Sequence, residues 1–383
     1  MKDRPVTRRA AAVLAVLGTI LVAGCGSRAA PAAAPAAAAR TVPLATSLIT
    51  AQGAWAIAVM GKPADPHNSF WQLFARPAGA SRWSLVTPPA VADNGGLVAA
   101  GAPGGTWMLV GVRPSQGLTF SPLAMSSDTG QNWTPGLVDA ALAGVPDALA
   151  VGASGRILAL LHDGTIEQAP GAAAAAAGQW SPLTTLGTLA ASAPGRSCGL
   201  VAVTAVSFAP GNVPLAAGSC QRPGVAGIFA QAGGTWQAAG PALPAGSGGD
   251  QAQVLGLAAT TDGNAALLRA GTGLLAAWSH GTAWTVSAPV QAAGGIAASG
   301  FGPGGSAWVL PGGGRAQTIA GPGASWRALP PLPAGTATLA PGPGGGYDAL
   351  AVSGSVLTVW RLDAAAWVRA QVIDVPIEYG SSG

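Results

Sequence analysis

Apolar residues along this chain come in short runs, each closed by glycine, proline or small polar residues, and no run repeats at helical spacing for long enough to predict an amphipathic helix. Runs at residues 97–101 and 107–112, and at 148–153 and 157–161, flank pairs such as Gly104-Gly105 and Ser154-Gly155. Related pairs recur at Gly211-Asn212, Gly263-Asn264, Gly304-Gly305 and Gly345-Gly346. Such pairs tolerate positive φ and close tight hairpins, so each couple of runs predicts two antiparallel strands. A third run follows at residues 71–76, 228–231, 274–278 and 356–362. The unbroken stretch Ile157-Leu158-Ala159-Leu160-Leu161 lacks polar alternation and predicts a strand covered on both faces.

Tryptophans set the period. Trp83, Trp133, Trp180, Trp236, Trp284, Trp326 and Trp367 are separated by 50, 47, 56, 48, 42 and 41 residues. Those intervals suit a four-stranded blade, with the fourth strand beginning at the tryptophan. A turn precedes the ring in Gly233-Gly234-Thr235-Trp236, Gly281-Thr282-Ala283-Trp284 and Gly323-Ala324-Ser325-Trp326. The expected fold is therefore all-β: a seven-bladed β-propeller of four-stranded antiparallel blades over residues 45–379, with 380–383 as a terminal tail. Small first strands such as Gly256-Leu257-Ala258-Ala259 suit the crowded axis, and the tryptophans are expected as packing between sheets. The first blade is expected over about residues 47–87 and the last over about 336–370. Residues 371–379 either extend the last strand or latch onto the first blade.

Charge and composition refine this picture. Only 8% of residues are charged, against 58 glycines and 32 prolines, which favours short elements and tight turns. The formal charge of +4 owes most to Lys2, Arg4, Arg8 and Arg9; without residues 1–24 there remain 14 basic and 13 acidic side chains. A nucleic-acid partner is therefore not expected. The basic residues 1–9 followed by an apolar stretch at 10–23 predict an export signal over 1–24, too short for an ordinary membrane span. Val22-Ala23-Gly24-Cys25 then resembles the lipobox of bacterial lipoproteins, which implies a lipid (palmitate-type) chain on Cys25 and attachment to the outer face of the cell membrane. Arg8-Arg9 leaves the Sec and twin-arginine export routes both open. Residues 25–44 form the lipidated cysteine and an Ala/Pro-rich tether, whose stretch 26–40 can reach on the order of 40 Å at about 3 Å per residue. Outside the cytoplasm, Cys198 and Cys220 can pair, and they bracket the hairpin formed by runs 200–208 and 213–218.

The segment Ser126-Ser127-Asp128-Thr129-Gly130-Gln131-Asn132-Trp133 resembles the Asp-box (BNR repeat) of sialidase-like and photosystem-II-assembly-factor-like propellers. The resemblance implies a structural turn between third and fourth strands, with Ser126 opening the box: Asp128 accepts from turn amides, Gly130 makes the corner, and Trp133 plugs the sheet edge. Sialidase chemistry does not follow. Beyond the signal the chain has two glutamates, Glu167 and Glu378, and two tyrosines, Tyr347 and Tyr379; adjacent strand residues 378 and 379 would face opposite ways. No catalytic residue, metal site or cofactor is expected, and His67, His162 and His280 are too scattered for zinc. Polar loops remain as candidate ligand contacts: Lys62, Asp65 and His67 in one, Arg113, Arg222 and Arg315 in the corresponding loops of the second, fourth and sixth units. Turned inward, the arginines would form an electropositive ring at the axial mouth for a carboxylate or anionic glycan; turned outward, they are solvated. The expected function is a noncatalytic, membrane-anchored binding or scaffold module, monomeric, for a protein or polymer. A degenerate sialidase-like glycan-binding or glycan-processing propeller and an assembly factor for a membrane complex stay open beside it.

Overall fold

The computed structural model describes residues 45–61, 69–88, 96–101, 108–112, 123–136, 146–244, 251–292 and 294–377. All of them lie in the second of two units, Thr41–Gly383. The strands pair antiparallel with their sequence neighbours as successive four-stranded meanders. The first is β1 (Ala45–Thr50), β2 (Gly53–Gly61), β3 (Ser69–Pro77) and β4 (Ser84–Leu85). The second is β5 (Leu97–Gly101), β6 (Met108–Val112), β7 (Leu123–Ser126) and β8 (Thr134–Gly136). The third is β9 (Ala148–Val151), β10 (Ile157–Leu160), β11 (Ile166–Ala169) and β12 (Ser181–Thr184), with a one-turn helix α1 (Ala172–Ala176) before its last strand. Helices α2 (Leu186–Ala191) and α3 (Ala193–Cys198) lead into the fourth: β13 (Leu200–Ala209), β14 (Val213–Cys220), β15 (Gly227–Ala232) and β16 (Thr235–Ala238). The fifth is β17 (Ala252–Ala259), β18 (Asn264–Ala270), β19 (Gly273–His280) and β20 (Ala283–Val286), with a short β21 (Val290–Gln291) beside β19. The sixth is β22 (Ile296–Phe301), β23 (Ala307–Pro311), β24 (Gln317–Ile319) and β25 (Arg327–Ala328). The last is β26 (Thr336–Pro341), β27 (Tyr347–Ser353), β28 (Val356–Asp363) and β29 (Ala366–Asp374).

The helices are a departure from the sequence expectation. Each spans six residues or fewer, less than two turns, so no 3.6-residue periodicity accumulates. Side-chain caps hold α2 and α3: the Thr188 amide donates to Thr185 Oγ1 at 3.1 Å and the Gly195 amide to Ser192 Oγ at 3.1 Å. Leu189 of α2 is buried among side chains of the third and fourth meanders. One turn pair also works differently from expectation. Gly211 and Asn212 have φ of 77° and 64°, but Gly263 is needed for space, since a Cβ there would lie 2.0 Å from the Ser279 carbonyl.

Apolar residues of each meander face two neighbours, which is why the strands read as continuous apolar runs. Trp55, Ile57 and Leu73 pack with Leu97 and Val110; Ala100 and Leu123 with Leu149 and Ile157; Leu158 and Ile166 with Val203 and Phe229. Ala217 and Ile228 pack with Val254 and Leu275, Leu267 and Leu274 with Val309 and Ile319, and Trp308 with Leu339 and Ala349. The last meander then returns to the first, with Leu350, Leu357 and Val359 against Ala56, Met60 and Phe74. One of the seven periodic tryptophans packs at each of these seams. Trp83 is fully buried and the other six are half-buried.

Two strand pairings also cross between meanders, and an isolated antiparallel bridge joins Gly61 of the first to Gly354 of the last. β14 meets β17 antiparallel through Ser219↔Gln253 and Cys220↔Ala252. β1 meets β22 in parallel through Ala45↔Ser299 and Ser47↔Gly300, and the Trp308 ring N–H donates to Ser47 Oγ at 2.9 Å. A Cβ on Gly300 would sit 2.5 Å from that hydroxyl, so glycine sets how closely the inner strands approach.

Candidate functional site

Cys25, Lys62, Asp65, His67 and Arg113 lie outside the described residues, as do Glu378 and Tyr379. Arg222 stands in the β14–β15 loop and Arg315 in the β23–β24 loop; both are exposed, and no described hydrogen bond or ion pair joins them. Cys198 and Cys220 form a disulfide, both buried, tying the end of α3 to the end of β14.

The turn from β7 to β8 is built around two side chains. Ser126 Oγ accepts from the Gly130 amide at 2.8 Å and donates to Asp128 Oδ1 at 2.9 Å. Asp128 Oδ1 accepts from the Asn132 amide at 2.9 Å, and Oδ2 from Asn132 Nδ2 at 2.6 Å. These donors, the Asn132 amide foremost, hold the Asp128 carboxyl below the usual carboxylate range. Thr129 and Gly130 both take left-handed φ, 61° and 83°, which the hydrogen bonds stabilise. Trp133 meets Trp55 of the first meander edge to face, centroids 6.5 Å apart at 69°. The side chains of Ser126 and Asp128 are spent on the turn itself, while the Ser127 carbonyl accepts from Gln52 Nε2 of the first meander.

The densest charge cluster lies where the last meander meets the first. Asp348 on β27 is fully buried and accepts from Arg361 Nε at 2.9 Å and Nη2 at 3.2 Å. The Trp83 ring N–H donates to Asp348 Oδ2 at 2.8 Å. Arg76 Nε lies 3.7 Å from the same oxygen, an ionic contact too long for a hydrogen bond. Two guanidinium groups thus face one carboxylate, and the surplus charge is met by carbonyls. Arg76 donates to Ala80 at 3.0 Å and Pro341 at 2.8 Å, and Arg361 to Ser81 at 3.0 Å. Arg76 also lies 5.5 Å from the Trp83 ring centroid. Burial lowers the Arg76 pKa and the Asp348 charge opposes that shift. Gln371 of β29 completes the seam, accepting from the Trp83 amide at 2.9 Å and donating to its carbonyl at 2.8 Å. The tail after residue 370 therefore does both things expected of it: β29 runs to Asp374, and its side chains reach the first meander.

Sequence reasoning missed this cluster, although a signal was present. In a chain with 8% charged residues, Arg76 and Arg361 stand inside apolar strand runs, where a charge requires a partner. The arrangement is chemically inert: a fully buried carboxylate that accepts three hydrogen bonds and faces a second guanidinium can hold two parts of the fold together but cannot exchange protons with a substrate.

No protein-family model and no curated protein matches the chain. Among solved structures, a protein assigned as a 6-phosphogluconolactonase from Bacteroides uniformis aligns over 83% of this chain and 96% of its own, at 13% identity and a TM-score of 0.51. A protein assigned the same way from Bacteroides fragilis aligns over 83% and 94%, at 12% identity and a TM-score of 0.52. The chain is a β-propeller. At such identity the likeness speaks for the fold alone. YCF48 from Cyanidioschyzon merolae, at 14% identity over 87% of this chain and 95% of its own, has a TM-score of 0.44, too low to add to the assignment.

Proposed function

We propose that the propeller has seven four-stranded blades and serves as a noncatalytic binding or scaffold module, held at the outer face of a bacterial membrane by lipid on Cys25. The observation that carries the reading is the circuit of apolar seams, closed between the last meander and the first by the Asp348 cluster. The buried Arg76 and Asp348 are spent on ring closure, and the exposed loops remain as the binding surface. The loops bearing Arg222 and Arg315 are the candidate partner face, and the 126–133 turn is an Asp-box in the structural sense. A rigid closed ring on a tether suits capture of a protein or polymer, because its loops are positioned without ordering cost at the moment of binding.

The test combines two measurements on the full chain in a bacterial host. A clickable palmitate analogue should label the protein and fail to label Cys25→Ser. Proximity labelling from the anchored protein should return one recurrent envelope partner, reduced by joint alanine substitution of Arg222 and Arg315. Lack of acylation would remove the anchor. Turnover of a glycan substrate by the purified chain would replace the scaffold reading with the glycan-processing one.

A further inference from the structure

A second polar site lies at the seam between the third and fourth meanders, far in sequence from the closing cluster. Arg156 opens β10, Gln168 sits on β11 opposite Leu158, and Ser181 on β12 opposite Gln168. Paired residues on neighbouring antiparallel strands share a face, and Leu158 is part of the apolar seam with the fourth meander. The apolar packing therefore gives way, at the β9–β10 turn, to a row of polar side chains on that same face. There Ser154, Arg156, Gln168, Pro170 and Ser181 line an open surface cleft of about 390 Å³, with Ser154, Pro170 and Ser181 at its exposed rim. Asn212 of the β13–β14 turn bounds it by donating from Nδ2 to Ser154 Oγ. Glycine at 152 permits that approach, since a Cβ there would lie 2.1 Å from Asn212 Oδ1.

The chemistry of the cleft is one-sided. Arg156 is half-buried and, among the described residues, has no carboxylate partner, in contrast to Arg76 and Arg361. One of its N–H groups donates to Gln168 Oε1, which fixes the glutamine and leaves its amide N–H₂ as a donor. The remaining guanidinium N–H groups stand in a planar fork matched to a carboxylate, with the hydroxyls of Ser154 and Ser181 able to give or accept hydrogen bonds beside it. Among the described residues, no acidic side chain lines the cleft to repel an anion. We infer that this cleft binds a small hydroxylated carboxylate of the sugar-acid class, its carboxylate on Arg156 and its hydroxyls on Gln168, Ser154 and Ser181. The inference depends on neither the lipid anchor nor the partner face.

Calorimetric titration of the purified full chain with D-glucuronate tests it, with D-glucose and inorganic phosphate as parallel arms. Saturable one-to-one binding of glucuronate is expected, at least about tenfold tighter than glucose or phosphate, because the fork and the hydroxyl contacts act together. Arg156→Gln should weaken glucuronate by about tenfold or more and Gln168→Ala by a smaller factor, while Arg327→Gln on an exposed strand elsewhere leaves it unchanged. Gln168→Ala keeps the test decisive if Arg156→Gln does not fold. Absence of saturable glucuronate binding overturns the inference. So does equal affinity for phosphate or glucose, or undiminished binding when the folded cleft variants are titrated.

Discussion

Asp348→Asn isolates the charge at the closing seam with almost no change of shape. The asparagine oxygen can still accept from the Trp83 ring N–H, so the loss falls on the two guanidinium groups. Arg361 Nε and Nη2 lose an anionic acceptor at 2.9 and 3.2 Å, and Arg76 loses the carboxylate 3.7 Å away, its one carboxylate neighbour among the described residues. The side chains are 8% exposed for Arg76 and 29% for Arg361, so water can compensate Arg361 in part and Arg76 hardly at all. Removing one member of a buried ion pair typically costs about 3–5 kcal/mol; with Trp83 still bonded and Arg361 partly wet, the low end, about 3 kcal/mol, is expected. Urea titration followed by tryptophan fluorescence and far-ultraviolet circular dichroism gives the midpoint shift, with Asp363→Asn, at an exposed strand end, as the control expected to stay within about 0.5 kcal/mol. A double-mutant cycle with Arg361→Met then apportions the pair, since both arginine and aspartate are removed only in the double variant. If Asp348→Asn lies within about 1 kcal/mol of the parent, the charge is not what holds the seam and apolar packing alone closes the ring.

Three further outcomes are expected. Gln371→Ala strands the amide and carbonyl of Trp83 in a partly buried setting and should cost about 1–3 kcal/mol in the same urea assay, with no effect if water replaces the glutamine. Replacing Cys198 and Cys220 together by serine reopens a loop with a sequence separation of 22 and should lower stability by about 3 kcal/mol, which equals the loss on reducing the parent protein. Asp128 has its folded-state pKa depressed, so its stabilising effect is present above the unfolded carboxylate pKa and is lost as pH falls through the folded value. The gap in thermal midpoint between the parent and Asp128→Asn should therefore narrow on acidification from neutral pH, and a gap that is constant with pH would contradict the hydrogen-bond account.

What the sequence made legible is repetition, because repetition is enforced by packing that every unit shares. The tryptophans fall just before or within the fourth strands, at β4, β8, β12, β16, β20, β25 and β29, where each seam needs a large plug. The 198–220 disulfide was readable for the same local reason: both cysteines flank one hairpin. Features that occur once left no period. The capped helices α2 and α3 are too short to carry one, and the Arg156 cleft depends on Gly152 and Asn212 meeting across two turns that are 60 residues apart. The partner of Arg76 was likewise hidden, since Asp348 lies 265 residues from Trp83, the other first-meander residue it holds, whereas Arg361 stands directly opposite Asp348 on the next strand.

That 265-residue separation accounts for the charge at this seam, against the neutral acceptors seen at three others. Trp284, Trp326 and Trp367 each donate the ring N–H to a neutral acceptor of the preceding meander: the Ala239 carbonyl, Ser287 Oγ and the Pro330 carbonyl, at sequence separations of 45, 39 and 37. Trp83 does the same across 265 residues, and its acceptor is a carboxylate. On the logarithmic scaling of loop closure, bringing ends together over 265 rather than about 40 residues costs ~1.7 kcal/mol more. A hydrogen bond to a charged group contributes about 1.5–3 kcal/mol where a neutral one contributes about 1, so exchanging a carbonyl for Asp348 recovers most of that difference at one contact. The aspartate then has to be neutralised in a dry seam, and Arg361 and Arg76 do so from opposite sides of it. The ionic cluster follows from joining two distant ends of one chain, which is why the same tryptophan position needs no charge at those three seams, formed by sequence neighbours.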